Sequence, residues 1–222
     1  MAVGETPFTM YKGLLCDLDG TLANSEPLHC AAWLALLDEV YDLQYDEHWF
    51  EQWVGTSDRV VAEWLIATHD LNLSIVDLIT QKQERFQESV RREGSTFSGV
   101  PEMLDRIAAE YPLAIATNSG RSDADLMIAA TKLDRYTAIS VTASDVEHMK
   151  PEPDIYLLAA EKLGLSASDC IAIEDSAPGG VAAKAAGCYL IGLNDKVVAA
   201  DETVENNANA LRRAYELLGG GN

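Results

Sequence analysis

The sequence predicts an α/β protein: a Rossmann-like parallel sheet with helices on both faces, interrupted by an inserted α-helical domain. Three observations carry this reading. Five short apolar runs have the length and continuous hydrophobicity of strands buried on both faces; they are Gly13–Asp17, Leu113–Thr117, Ala138–Thr142, Cys170–Glu174 and Cys188–Leu193. Stretches with apolar residues at helical spacing separate the last four, and alternating strands and helices imply a parallel, doubly covered sheet. The interval between the first two strands is far longer than one βα connection requires and holds only helical patterns.

Along the chain, the first strand is followed from Ser25 to Glu93 by one helical pattern after another, with Trp33, Leu37, Trp49, Trp53 and Trp64 among the apolar positions. The simplest arrangement is a helical cap over residues 25–94, inserted into a core of residues 1–24 and 95–222. The chain enters it near Leu22–Glu26 and leaves it near Gly94–Gly99, where small residues suit a hinge. Beyond the second strand, helices are expected over Asp123–Asp134, Asp154–Leu163 and Gly179–Ala186. Pro153 and Pro178 stand where a first helical turn tolerates proline. No internal repeat is visible, and Gly219-Gly220-Gly221 is expected to fray.

Of the 222 residues 48% are hydrophobic, enough for a substantial core. No apolar run approaches the roughly 20 residues needed to span a bilayer, and Met1 to Lys12 lacks the form of a secretory signal. A soluble, cytoplasmic protein is therefore expected, working as a monomer or weak dimer. Cys16, Cys30, Cys170 and Cys188 lie far apart, without a Cys-x-x-Cys pair, and read as reduced structural residues. Against 16 Lys and Arg stand 36 Asp and Glu, a formal net charge of −20. Such a surface repels polyanions and argues against a nucleic-acid partner. Any anionic small molecule would need local positive charge from a metal ion, a lysine or a helix N-terminus.

In open α/β sheets, ligands bind outside the carboxyl ends of the strands. The first strand delivers Asp17-Leu18-Asp19-Gly20-Thr21 there, the second Thr117-Asn118-Ser119, and the fourth Glu174-Asp175-Ser176; Lys150-Pro151 follows the third. Each piece has a plain structural reading. Asp-x-Asp-Gly suits a turn, Ser176 suits a helix N-cap, Thr117 suits a strand, and Lys150 suits a solvated loop. Their convergence on one edge, four carboxylates with one lysine and one hydroxyl, is what points to chemistry. No Gly-x-Gly-x-x-Gly follows a strand and no Walker-type loop is present, so a nucleotide cofactor is unsupported.

With these motifs in this order, the chain resembles haloacid dehalogenase-superfamily phosphotransferases of the branch containing β-phosphoglucomutase and small sugar-phosphate phosphatases. Asp17-Leu18-Asp19-Gly20-Thr21 is similar to that family's first motif, Thr117 to its second, Lys150 to its third and Glu174-Asp175 to its fourth. The resemblance implies a Mg²⁺-dependent phosphatase acting on a small phosphorylated metabolite. Asp17 is then the nucleophile, forming an aspartyl-phosphate, and Asp19 the general acid and base. It further implies that Asp17, Asp175 and the Asp19 backbone carbonyl bind Mg²⁺ with Glu174 close or ligating. Lys150 would neutralise Asp17 and a phosphate oxygen, while the Thr117 hydroxyl and the Asn118 amide hold the other oxygens. Asp19 argues against the dehalogenase and phosphonate-cleaving branches, which lack it.

In the insert, His29, Trp33, Gly55-Thr56-Ser57 and Lys82 are similar to substrate-selecting residues of the mutase branch. His29, Gly55 and Lys82 are accordingly candidate substrate contacts. Trp33 also suits packing, and His29 an exposed helix position. Where the mutase holds a second phosphate with an arginine, this chain has Asp58, with Arg59 one position later, about 100° away on a helix. That departure favours a phosphatase over a phosphosugar mutase. A catalytically idle phosphate-binding or scaffold protein is a third reading, opposed by the intact acidic motifs.

Overall fold

A computed structural model describes residues 11–54 and 56–221. The chain divides into two compact units, Met1–Ala23 with Thr96–Asn222, and Asn24–Ser95.

The first unit holds a six-stranded sheet in which every pairing is parallel. Its strands are β1 (Gly13–Cys16), β2 (Leu113–Ala116), β3 (Ser140–Val141), β4 (Cys170–Glu174), β5 (Tyr189–Gly192) and β6 (Glu202–Thr203), in the spatial order β3-β2-β1-β4-β5-β6. Strands β1, β2 and β4 are buried along their whole length, as near-continuous Leu, Ile and Ala runs require when helices cover both faces. The order reverses about β1, and the crevice at such a reversal is where this architecture binds ligands. Cys16 pairs with Ile115 on one side and Ile173 on the other, so Asp17, Ala116 and Glu174 finish level at one edge.

Numbering the helices in chain order, α5 (Val100–Glu110), α6 (Arg121–Thr131), α7 (Asp154–Lys162), α8 (Ala177–Ala186) and α9 (Asn207–Leu218) belong to this unit. The Ser176 hydroxyl caps α8 by accepting from the Gly179 amide, and Pro178 occupies its first turn. The helix expected over Asp123–Asp134 starts earlier and stops at Thr131, because Lys132 turns left-handed (φ 58°) and a 3₁₀ turn follows. The sequence reading missed β6, whose Glu-Thr pair lacks an apolar run because it lies at the sheet edge. It also missed α5 and α9. Ala23 and Thr96 form an antiparallel bridge, and the Phe97 amide donates to Leu22 O (3.4 Å), so the chain leaves this unit and re-enters it at one place.

The second unit is all helix: α1 (Glu26–Tyr41), α2 (Glu47–Glu51), α3 (Asp58–His69) and α4 (Ile75–Glu93). Trp33, Leu36, Leu37, Phe50, Val61, Ala62, Leu65 and Leu78 form its core, with Trp49, Trp53 and Trp64 packed against them. Burial of this apolar set, more than helix propensity, holds these helices, above all the 5-residue α2 and the 12-residue α3. Cys16, Cys170 and Cys188 are buried free thiols and Cys30 a half-buried one. No helix among the described residues is long and apolar enough to cross a membrane.

Candidate active site

The site in the α/β unit is built where β1 ends. The Asp17 amide donates to Ile173 O (3.1 Å), continuing the ladder one residue past the strand and seating the carboxylate in the buried crevice. Gly20 then turns left-handed (φ 79°), and a Cβ there would lie 2.2 Å from Asp175 Oδ2. Only glycine permits both the turn and that approach. The loop is held from afar by Asn207 at the start of α9, whose side-chain amide donates to Gly20 O (2.9 Å) and Thr21 O (2.7 Å).

Lys150 is the electrostatic centre. Its buried ammonium donates to Asp17 Oδ1 (2.6 Å), Glu174 Oε1 (2.5 Å) and Ala116 O (2.7 Å). Burial alone would discharge it, but Asp17 and Glu174 outweigh that and hold it protonated, well above the usual lysine range. The Asn118 side chain fixes the lysine's backbone, accepting from Lys150 N (2.9 Å) and donating to Lys150 O (3.1 Å). Glu174 is wholly buried. Its Oε1 also accepts from the Tyr156 hydroxyl (2.7 Å), and its Oε2 from the Ser176 hydroxyl (2.9 Å) and amide (3.3 Å). A Cβ on Gly179 would sit 1.9 Å from Glu174 Oε1, so the start of α8 is pressed onto this carboxylate.

Asp19 reaches across to the end of β2. Its Oδ2 accepts from the Ser119 hydroxyl (2.6 Å) and, at 3.4 Å, from the Thr117 hydroxyl, whose oxygen in turn accepts from the Ser119 amide (3.0 Å). The structure therefore brings together Asp17, Asp19, Thr117, Asn118, Lys150, Glu174 and Asp175. Ser119, Tyr156, Asn194 (which donates to Asp175 O at 2.7 Å) and Asn207 join them without having been assigned roles from the sequence. Ser119 follows directly on the Thr117-Asn118 motif, but the other three carry no local signal.

Asp17, Glu174 and Asp175 each offer an oxygen within 4.8 Å of the others. One lysine answers this charge. Burial, opposed by Lys150 and reinforced by Glu174, Asp175 and Asp19, pushes the Asp17 carboxyl up. Burial and then Glu174, opposed by Lys150, push Asp175 up to about 7. A crowded, under-neutralised, all-oxygen donor set fits a hard divalent cation such as Mg²⁺. With Glu174 already engaged by Lys150, Tyr156 and Ser176, Asp17 and Asp175 are the side chains better disposed to ligate.

His29 and Lys82 meet each other in the helical unit. Lys82 Nζ is buried 2.6 Å from His29 Nδ1 and donates to Asp58 Oδ2 (2.7 Å). Trp33 Nε1 donates to the other oxygen of Asp58 (3.1 Å), and the His29 ring stacks on Phe86 with centroids 4.1 Å apart. Trp33 is thus buried packing that also orients Asp58. Gly55 lies outside the described residues.

An open parallel sheet with a lysine-bound carboxylate at the end of β1, beside further carboxylates, defines an α/β enzyme with an acid-rich site at its switch point. The chain belongs to the haloacid dehalogenase-like hydrolase family, whose sequence pattern matches residues 14–193. Fructose-1-phosphate phosphatase YqaB of Escherichia coli is 31% identical over 180 residues, 81% of this chain and 95% of that protein. β-Phosphoglucomutase of Bacillus subtilis is 26% identical over 189 residues, 82% of this chain and 83% of that one. The crystal structure of CbbY from Rhodobacter sphaeroides in complex with phosphate is similar with a TM-score of 0.75 and 25% identity, covering 91% of this chain and 99% of that one.

Proposed function

We propose that the chain is a Mg²⁺-dependent phosphatase that hydrolyses a small phosphorylated metabolite, a sugar or polyol phosphate, through an aspartyl-phosphate on Asp17. The observation that carries this is the Asp17 carboxylate held at the end of β1 by Lys150, with Asp175 beside it. Asp17 attacks phosphorus in line with the leaving oxygen, and Asp19 gives that oxygen a proton. Asp19 then takes a proton from the water that opens the acyl phosphate. Lys150 balances the charge of Asp17 and of a non-bridging oxygen. Thr117 Oγ1 and the backbone amide of Asn118 receive the remaining oxygens. Bound Mg²⁺, held by Asp17, Asp175 and the Asp19 carbonyl, supplies the rest of the counter-charge that phosphoryl transfer demands.

Transfer to water rather than to a second sugar is supported by the helical unit. A mutase must grip a second phosphate, yet Asp58 stands where the mutase carries an arginine, and the buried Lys82 is paired with it at 2.7 Å. The kinship with a β-phosphoglucomutase keeps the mutase as the second reading, and the two differ only in where the phosphoryl group goes. Phosphate release across a panel of phosphorylated metabolites, with Mg²⁺, with EDTA and with Asp17→Asn, tests the proposal. Metal-dependent release lost in the variant is expected. No release from the panel, with conversion of β-glucose 1-phosphate once a bisphosphate primer is added, would make the chain a mutase.

A further inference from the structure

Lys150 stands between two carboxylates. It must serve Asp17, and on the reading above also a phosphate oxygen, yet Glu174 Oε1 is as close to its ammonium as Asp17 Oδ1 is, at 2.5 Å against 2.6 Å. A buried carboxylate with few donors draws the nearest cation strongly, because little else offsets its lost hydration. Something must moderate Glu174.

Tyr156 occupies that position. It is fully buried on α7, its ring lies 5.1 Å below the Lys150 ammonium, and its hydroxyl donates to Glu174 Oε1 at 2.7 Å. Phenylalanine would fill the same volume. What the hydroxyl adds is one hydrogen bond to the very oxygen that Lys150 also uses. The other oxygen, Oε2, is served separately by Ser176.

We propose that Tyr156 is a positioning residue of the phosphoryl-transfer reaction: by satisfying part of Glu174 Oε1 it keeps Lys150 shared with Asp17. Without the hydroxyl, the ammonium shifts toward Glu174, and Asp17 and the transferring group lose counter-charge. That counter-charge matters most as the phosphoryl group moves, so the deficit falls on kcat rather than KM.

Tyr156→Phe and Glu174→Gln, singly and combined, are compared for kcat and KM on a metabolite that the wild type hydrolyses in saturating Mg²⁺. Loss of a hydrogen bond to a buried charge should lower kcat about tenfold in Tyr156→Phe, with KM changed less than about twofold. Because the hydroxyl acts through Glu174, the same substitution in the Glu174→Gln background should cost less than about threefold. Undiminished kcat, or an equal loss in both backgrounds, would overturn the proposal. A second readout is independent of turnover: the ¹⁵N ammonium resonance of Lys150 in the EDTA-treated protein, assigned by its disappearance in Lys150→Met. It should move in Tyr156→Phe, and an unmoved resonance refutes the positioning role. A wild type silent on every substrate but showing that movement would sink the phosphatase reading while leaving the link between Tyr156 and Lys150 intact.

Discussion

Replacing Lys150 by Met tests the electrostatic centre of the site. Methionine roughly keeps the volume of the stem but removes an ammonium that donates to Asp17, Glu174 and Ala116 O. Two buried carboxylates then face each other, with Asp175 beside them and no cation. Breaking a buried pair by deleting one partner costs about 3–5 kcal/mol, because the desolvated charge that remains is uncompensated. For a chain of this size that corresponds to a fall in Tm of about 6–20 °C. Asp17 and Asp175 escape part of the penalty by protonating, so the loss depends on pH. Burial already raises both carboxyls in the fold against the opposing pull of Lys150, and both rise further once that ammonium is gone. A group raised in the folded state stabilises fully below its unfolded pKa and progressively less as pH climbs through the folded one. Lys150→Met should therefore lie nearer to wild type at pH 5 than at pH 8. Urea denaturation in EDTA at both pH values, wild type beside variant, measures this. A difference below about 1 kcal/mol, the same at both pH values, would show that Lys150 does not carry the compensating charge.

Three further outcomes are expected. Asp175, pushed up to about 7, must lose its proton to ligate a cation; the gain in Tm from Mg²⁺ should accordingly be larger at pH 8 than at pH 5.5, as differential scanning fluorimetry will show. Gly20→Ala places a Cβ 2.2 Å from Asp175 Oδ2 on a left-handed backbone; phosphate release should fall at least about a hundredfold with far-UV circular dichroism unchanged. Glu202 is brought down to about 2 by hydrogen bonds from Arg213 and Tyr189. Its contribution is complete above pH 4.5 and lost as pH falls toward 2, so acidification through that window should cost Arg213→Met less than wild type, a difference kept small by solvent screening.

Much of this molecule was legible in the chain. Leu-Leu-Cys before Asp17 and Ile-Ala-Ile before Glu174 announce strands buried on both faces, and strand ends are where such sheets act, so the acidic cluster could be read with its scaffold. The insert was legible for a complementary reason: tryptophans and leucines at helical spacing occupy a gap too long for a crossover. What escaped were partners whose roles arise only from folding. Tyr156 reads as one apolar position of α7 until β4 brings Glu174 to its hydroxyl. Asn207 is one polar residue among several until α9 returns to the Gly20 carbonyl. Lys82 was expected to face a substrate, and its pairing with Asp58 and His29 depends on how α1, α3 and α4 pack. Edge strand β6, short and polar, carries no periodic signal at all.

The bridge between Ala23 and Thr96 bears on how this protein can change over evolutionary time. Because the two ends of the interruption are bridged side by side within the sheet-bearing unit, the loop is already closed there, whatever its length. Loop closure depends weakly on length, about 0.6 kcal/mol for each doubling, so the thermodynamic toll of a larger or smaller interruption at this point is slight. The helical module is thus exchangeable in principle. Joining Ala23 to Thr96 through a short glycine linker should leave a miniature that keeps the sheet and its carboxylates, and cooperative urea unfolding of that miniature is the outcome expected.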